Sequence, residues 1–351
     1  MSVFEHPFYD DHEAVTFAAD PATQLHAVIA VHSTALGPAG GGTRFWSYPS
    51  AADALTDALR LSRAMSYKNA MADLPLGGGK GVVMRPAGAF DRAALFEAYG
   101  RAIERLGGSY ITAEDVGVGV EDMRAVRRST RFVAGLPEGR AASGDPSPLT
   151  AQGVFLGIQS IVRRALDRSD LDGVRVAVQG VGHVGAHLCR LLHEAGASLV
   201  VTDIDEAAVA AMVDRYGAAA VAPDAIYDAD ADVFAPCALG STINPDTIER
   251  LRVKAIAGGA NNQLASPEMG DRLAEKGVLY APDYVINGGG IINVAAEISG
   301  VYDPDWVHTK IVQLNATLEA VFDRAAAERR PTDQVADDMA RERIARVRGT
   351  A

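Results

Sequence analysis

One stretch constrains the fold more than any other. The apolar run Val174–Val178 leads into Gln179-Gly180-Val181-Gly182-His183-Val184-Gly185, which sets three glycines at the spacing Gly-x-Gly-x-x-Gly ahead of a helical segment. A short apolar run without polar alternation is what a strand buried on both faces requires. At a strand-to-helix turn the three glycines answer different steric needs. Gly180 permits the tight turn, Gly182 lets a pyrophosphate approach the backbone, and Gly185 lets helix and strand pack closely. His183 and Val184 begin the helix whose unpaired N–H groups attract phosphate. Further apolar runs, Leu199–Thr202, Val233–Ala235 and Ala255–Ala257, alternate with helical segments and predict a doubly wound parallel sheet. The second strand ends at Asp203, about twenty residues past the glycines, where a carboxylate accepts from a ribose hydroxyl. Asp203 and Asp205 would repel a 2′-phosphate, so the expected cofactor is NAD rather than NADP.

The chain has 351 residues, enough for two domains. Its 48% hydrophobic content supports two packed cores. Thirty-three basic against 45 acidic residues give a net charge of −12, which argues against nucleic acid as a partner. The acidic start Met1–His6 is unlike a signal peptide and no apolar stretch is long enough to span a bilayer, so a cytoplasmic protein without membrane contact is expected. Cys189 and Cys237 lack metal-ligand spacing and read as reduced structural thiols. His183 and His193 also lack metal spacing and read as surface or helix-packing residues, so no metal is expected. Gly, Pro and Ser crowd Pro137–Pro148, the candidate hinge. The expectation is an α/β protein: a substrate-binding and oligomerisation domain over residues 1–136, and a Rossmann NAD-binding domain over 149–330. A tail of residues 331–351 is expected to pack back on the first domain, and a cleft to separate the two domains.

In the first half, Ala14–Ala18 and Gln24–Ser33 read as a hairpin. The segment Gly37–Arg44 reads as a loop, because residues without a Cβ favour turns and close backbone approach. Ser50 and Asp53 cap a helix carrying Leu55, Leu59 and Met65, which delivers Tyr67 and Lys68 at its far end. A second glycine cluster, Gly77–Gly81, runs into the strand Val82–Met84. A helix is expected from Asp91 to Gly107-Gly108, then a strand at Tyr110–Thr112 leading to Asp115. Thr150–Arg168 and the tail from Thr309 read as helices. Lys80 among glycines suggests a phosphate loop, yet Leu74 and Gly81 break that pattern at two places. Two ammonium groups that share a cleft and lose water disfavour each other's charge, a general route to a lysine base, and Lys68 with Lys80 could supply them.

The longer motifs resemble the Glu/Leu/Phe/Val dehydrogenase family, in particular its leucine branch. They are Gly37-Pro38-Ala39 with Gly41-Gly42-Thr43-Arg44, Met65-Ser66-Tyr67-Lys68-Asn69-Ala70, and Leu74-Pro75-Leu76-Gly77-Gly78-Gly79-Lys80-Gly81. Tyr110-Ile111-Thr112-Ala113-Glu114-Asp115-Val116-Gly117, the dinucleotide turn, Ala260-Asn261-Asn262-Gln263-Leu264 and Asn287-Gly288-Gly289-Gly290 extend the resemblance from Gly37 to at least Glu297. It implies that Lys68 pairs with the substrate α-carboxylate, that Lys80 is the general base activating water, and that Asp115 shuttles protons at the amine. It also implies that Gly41 and Gly42 border the substrate and that Gly40, Ala113, Ile291 and Val294 meet its side chain. Asn261 and Asn262 would position the nicotinamide amide and the substrate, Thr150 would contact the nicotinamide end, and Cys237-Ala238 would line the adenosine side. The implied reaction passes hydride from the substrate α-carbon to NAD, and the imine is hydrolysed to 2-oxo acid and ammonia. Homo-oligomers, octamers or hexamers, are implied too.

Two departures stand out: Gly40 replaces a leucine usual in the leucine branch, and Val118-Gly119 replaces a pair of threonines. Glutamate-specific relatives carry lysine at position 40, so an apolar, branched-chain substrate is expected, leucine first with valine and isoleucine. Phenylalanine is the alternative within the family. A 2-hydroxy-acid dehydrogenase would use His with Arg and a carboxylate, and an NAD sensor would not need the lysines and Asp115.

Overall fold

The computed structural model describes residues 2–136, 145–300 and 302–349. Contacts divide the chain into two compact units, one of Met1–Gly144, Asn293–Pro304 and Ala340–Ala351, the other of Asp145–Ile292 and Asp305–Met339.

The first unit contains β1 (Ala14–Asp20), β2 (Leu25–Ser33), β3 (Ala39–Trp46), α1 (Ala51–Met71), β4 (Gly77–Met84), α2 (Arg92–Glu104), β5 (Tyr110–Glu114) and α3 (Val120–Arg127). Its sheet runs β1-β2-β4-β3-β5. The expected hairpin of β1 and β2 is present, β4 is antiparallel to β2, and β3 lies parallel to both β4 and β5. Side chains alternate across β2, and both faces are covered. Val28 and Ala30 pack with Ala58, Leu59 and Val82 under α1, whereas Ile29 and Val31 pack with Phe96, Tyr99 and Ile103 of α2. Ser50 caps α1 by accepting from the Asp53 N–H at 3.2 Å. At the other end of α1 the guanidinium of Arg343 donates to the carbonyls of Ala70 and Met71 in the last turn of the helix.

The segment expected as a loop, Gly37–Arg44, is a strand from Ala39 onward, and the second glycine cluster is strand throughout. Here the missing Cβ atoms make room for neighbours. A Cβ on Gly78 would lie 2.0 Å from the backbone nitrogen of Ser66 in α1, and one on Gly81 would lie 1.9 Å from the hydroxyl of Tyr99 in α2. Helix α3 is an element that the sequence reading did not pick out. It begins where Asp122 accepts from the Gly119 N–H at 2.9 Å, and it buries Met123 and Val126.

The second unit begins with α4 (Ser147–Leu166), which starts three residues before the expected Thr150 because Pro148 suits a first helical turn. Residues 137–144 of the expected hinge lie outside the described residues. Then come β6 (Arg175–Gln179), α5 (His183–Glu194), β7 (Ser198–Thr202), α6 (Glu206–Tyr216), β8 (Ala219–Ala220), β9 (Val233–Pro236) and α7 (Thr247–Arg250). They are followed by β10 (Ala255–Ile256), α8 (Glu268–Glu275), β11 (Leu279–Tyr280) and α9 (Asp283–Ile286). The chain closes with α10 (Gly289–Ile298), α11 (Pro304–Glu328) and α12 (Thr332–Arg348). The six strands are parallel in the order β11-β10-β9-β6-β7-β8. The order reverses around β6, so the carboxyl ends of β6, β7 and β9 border the place where a doubly wound sheet accepts a ligand. No helix among the described residues is long and apolar enough to cross a membrane.

Candidate active site

In the first unit, three neighbouring strands bring charge to one point. Lys80 on β4 is buried, and its Nζ lies 2.7 Å from Oδ2 of Asp115, the residue after β5. Strand β3 runs between β4 and β5 and presents glycine there. A Cβ on Gly42 would lie 2.5 Å from the Glu114 carbonyl and 2.9 Å from the Asp115 Cβ, so Asp115 takes its place because residue 42 has no side chain. Arg44, two residues along β3, donates from Nε to the same Asp115 oxygen at 3.2 Å. Burial works against the Asp115 charge, but the Lys80 ammonium and then the Arg44 guanidinium outweigh it and hold the carboxyl below its ordinary range.

Arg44 is itself anchored. One terminal nitrogen donates to Asp57 of α1 at 3.0 Å, and the Tyr48 hydroxyl donates to the same Asp57 oxygen at 2.6 Å. Burial, and then the hydrogen bond to Asp57, push the Tyr48 phenol up, so it stays a donor.

Lys68 lies half-buried in the last turn of α1. That turn is fixed by the buried amide of Asn69, which donates to the carbonyls of Gly77 at 2.5 Å and Gly40 at 3.4 Å, tying α1 to β4 and β3. A Cβ on Gly41 would meet the Gly79 carbonyl at 1.9 Å. Gly40 is buried, and Leu76 Cδ1 lies 3.2 Å from where its Cβ would be, so Leu76 occupies part of the space that a larger residue 40 would fill. Ala113 is buried on β5 opposite Gly42. Ile291 and Val294 sit three residues apart on α10, both half-buried.

In the second unit the glycine turn has three distinct surroundings. Gly180 has φ +91°, and a Cβ there would meet Ala238 at 2.7 Å. Gly182 caps α5 and faces open space, whereas a Cβ on Gly185 would strike the Gly180 carbonyl at 1.9 Å. Val184 is half-buried; His183 is exposed, with Nδ1 3.6 Å from Asp145. Asp203 accepts from the Val181 N–H at 2.7 Å through one oxygen and from the Asp205 N–H at 3.0 Å through the other. Asp205 caps α6, accepting from Ala207 and Ala208. Cys237 Sγ accepts from the Gly259 N–H at 3.4 Å, with Ala238 beside the glycine turn, and the Thr150 hydroxyl donates to the Pro146 carbonyl at 3.1 Å. Asn261 and Asn262 are exposed, Asn262 with φ +52°.

Three residues without an assigned role in the sequence reading build the Asn261 loop. The Asn287 amide, buried, donates to Asn261 Oδ1 at 2.8 Å. Gln263, fully buried, donates to the carbonyls of Gly258 and Ala260, and Asp283 accepts from its N–H at 2.9 Å. Gln263 and Asn287 stand inside quoted motifs, which marked their positions but not the groups they hold. Arg44 also ends a quoted motif, whereas Asp57 and Tyr48 carry no local signature.

A parallel sheet whose first turn carries glycine at 180, 182 and 185, in a chain that also buries a lysine against a carboxylate, is the equipment of a two-unit dehydrogenase. Comparison with known proteins narrows that class. Residues 12–132 match the Glu/Leu/Phe/Val dehydrogenase dimerisation domain, and residues 143–214 and 202–347 match Glutamate/Leucine/Phenylalanine/Valine dehydrogenase. The chain belongs to this family and is an amino-acid dehydrogenase. It is 49% identical to a leucine dehydrogenase of Geobacillus stearothermophilus, over 99% of this chain and 95% of that protein. It is 44% identical to a valine dehydrogenase of Streptomyces coelicolor, over 96% and 93% respectively. The crystal structure of L-tryptophan dehydrogenase from Nostoc punctiforme superposes with a TM-score of 0.85 at 42% identity, covering 96% of this chain and 97% of that one.

Proposed function

We propose that this chain catalyses the NAD-dependent, reversible oxidative deamination of a branched-chain L-amino acid, leucine first, with valine and isoleucine, to its 2-oxo acid and ammonia. The observation that carries this reading is the contact of Lys80 with Asp115 at 2.7 Å, with the lysine buried. A buried ammonium beside a carboxylate can hold and release a proton next to a substrate amine. Lys68 binds the α-carboxylate and fixes the α-carbon. Asp115 takes up and returns protons at the amine, and Lys80 in its neutral form takes the proton from the water that attacks the imine carbon. Gly41 and Gly42 border the substrate, and their missing side chains leave room for Gly79 and for Asp115.

The turn at Gly180, Gly182, His183, Val184 and Gly185 suits a dinucleotide, because Gly182 faces open space at the N-terminus of α5 and Asp203 stands beside it through Val181. A bound NAD would supply the hydride acceptor for the substrate α-carbon. Asp203 and Asp205 favour NAD over NADP, Cys237-Ala238 borders the adenosine side, and Asn261, Asn262 and Thr150 orient the nicotinamide end and the substrate.

Side-chain choice follows from Gly40, Ala113, Ile291 and Val294. No cation stands at position 40, so a glutamate side chain there would leave a carboxylate unpaired at a heavy desolvation cost. Ala113, Ile291 and Val294 match the aliphatic pocket positions of the leucine branch and favour an aliphatic side chain, while Gly40 leaves room that Leu76, 3.2 Å from its Cβ position, fills in part. One or two methylenes discriminate by only about 1–3 kcal/mol, so several aliphatic substrates are expected to react. The match to a dimerisation domain supports a homo-oligomer, with the octamer or hexamer of the family's pattern, and a cytoplasmic setting fits its reduced thiols.

The test is reductive amination with NADH and ammonia on the 2-oxo acids of leucine, valine, isoleucine, phenylalanine and glutamate. The leucine-derived acid is expected to lead in kcat/KM. The phenylalanine-derived acid ahead by tenfold would overturn the aliphatic assignment, and the glutamate-derived acid ahead of the others would overturn the argument from position 40.

A further inference from the structure

We infer that Arg44 is a positioning residue for the reaction: braced by Asp57 and Tyr48, its guanidinium is the fixed cation that keeps the Asp115 carboxylate aimed and ionised while Lys80 is neutral. The inference rests on the roles proposed above for Lys80 and Asp115 and goes beyond them in what must surround that pair.

The geometry carries the argument. Lys80 and Arg44 both reach the same oxygen of Asp115, at 2.7 and 3.2 Å. One of these cations has to lose its charge for the proposed chemistry. A lysine that takes a proton from water spends part of each cycle as a neutral amine, and during that interval it cannot support a neighbouring carboxylate. Arg44 stays charged at any working pH, and its planar fork can hold two acceptors at once. It does so here, with Nε on Asp115 and a terminal nitrogen on Asp57, whose oxygen is also held by the Tyr48 hydroxyl. The brace comes from three elements, β3, the segment after it and α1, so the guanidinium cannot follow Lys80 as its charge changes.

Ionisable groups of several elements meet around Asp115. Lys80 approaches from β4, Arg44 from β3 and Tyr48 from the segment after β3, and Asp57 of α1 lies behind Arg44. Glu114, next in sequence, responds instead to its own burial and to Asp122 and Glu297. Removing Arg44 therefore takes away one of the two cations seen to reach Oδ2 of Asp115, and Lys80 still reaches it. The side chains of Arg44, Asp57 and Asp115 are each about a quarter exposed, and a partly exposed ion pair adds little to stability. Arg44 thus has more to contribute to the reaction than to the fold.

The experiment is kcat/KM for leucine with NAD across pH 6 to 10, with a thermal melt, for the unmodified protein and for Arg44→Leu, Arg44→Lys and Asp57→Asn. Arg44→Leu is expected to move the acidic limb of the profile to higher pH, with a loss of about tenfold or more at the low end that shrinks toward the high end. Arg44→Lys should recover part of that loss, since it restores a charge without the fork. Asp57→Asn keeps the cation on Asp115, so its acidic limb should not move upward. An Arg44→Leu protein that melts normally and shows the parental profile, or a loss of equal size at every pH, would overturn the inference. If Arg44→Leu does not fold, Arg44→Lys decides, because an unshifted limb there overturns the need for the fork. The underlying reading fails in a different way, through an unmodified protein that forms no NADH from leucine or a Lys80→Ala protein that still turns over.

Discussion

The glycine strands of the first unit permit a quantitative test that replaces none of the proposed reacting side chains. In Gly78→Ala the added Cβ would lie 2.0 Å from the Ser66 nitrogen, 2.3 Å from its hydroxyl and 2.4 Å from its Cα. Two of these three atoms are helix backbone, so no side-chain rotation relieves the clash. Restoring ordinary contact at 3.4 Å separates α1 from β4 by about 1.4 Å. Helix α1 carries Lys68 and β4 carries Lys80, so the substitution moves the proposed carboxylate clamp away from the proposed base. Overpacking of this kind costs about 1–3 kcal/mol, which corresponds to roughly 2–10 °C in Tm for a domain of this size. A displacement near 1 Å at a reacting centre can cost about 100-fold in rate. The assay is kcat/KM for leucine with NAD beside a thermal melt. Gly119→Ala serves as the control, because its Cβ would meet nothing within 4 Å. A Gly78→Ala protein within threefold of the parent and melting at the same temperature would refute the close-approach account of these glycines.

Other consequences can be checked independently. His32 is buried, with its ring centroid 4.9 Å from that of His12, and burial followed by the charge on His12 pushes it from 6.5 down to about 4. The unfolded chain takes up a proton near pH 6.5 and the folded one does not until lower pH, so this contribution is complete above pH 6.5 and is lost as pH falls toward 4. His32→Gln should flatten the fall of Tm between pH 7 and 5, and an equally steep fall would contradict the linkage. NAD should exceed NADP by at least tenfold in kcat/KM, and Asp203→Ser should narrow the ratio while also weakening NAD, because the Val181 N–H loses its acceptor. Equal use of both cofactors by the unmodified protein would contradict the carboxylate reading. Asn287→Ala removes the donor to Asn261 and should raise KM for NAD by roughly tenfold. An unchanged KM would show that Asn261 needs no such support.

What the sequence made legible depended on where the cause of each feature lies. The strands of the second unit are apolar runs because both of their faces are buried, and the Gly180 turn is local, so both could be read from neighbouring residues. Gly37–Arg44 was misread because the reason for its glycines lies elsewhere. Glycine at 42 admits the end of β5, and the related glycines at 78 and 81 admit Ser66 and Tyr99. Composition alone registers the missing Cβ and suggests a loop, whereas the atoms that take its place come from distant segments. Helix α3 is short and depends on Asp122 and three buried apolar residues, Met123, Ala125 and Val126, a weak local pattern. Lys80 and Asp115 were visible through their motifs, but Arg44, Asp57 and Tyr48 meet only after β3 and α1 have packed. Gln263 and Asn287 were visible as residues and silent about their roles, since an amide inside a motif does not state which carbonyls it will hold.

The central claim is that Lys80 is the base of an amino-acid dehydrogenase, and the most direct measurement is kcat of Lys80→Ala at saturating leucine and NAD, followed as NADH formation. A base acts in the transition state, so kcat should fall by about 10²–10⁴-fold with a much smaller change in KM. Lys68→Ala, assayed alongside, should chiefly raise KM. A Lys80→Ala protein that folds normally and retains a kcat near that of the parent would contradict the account.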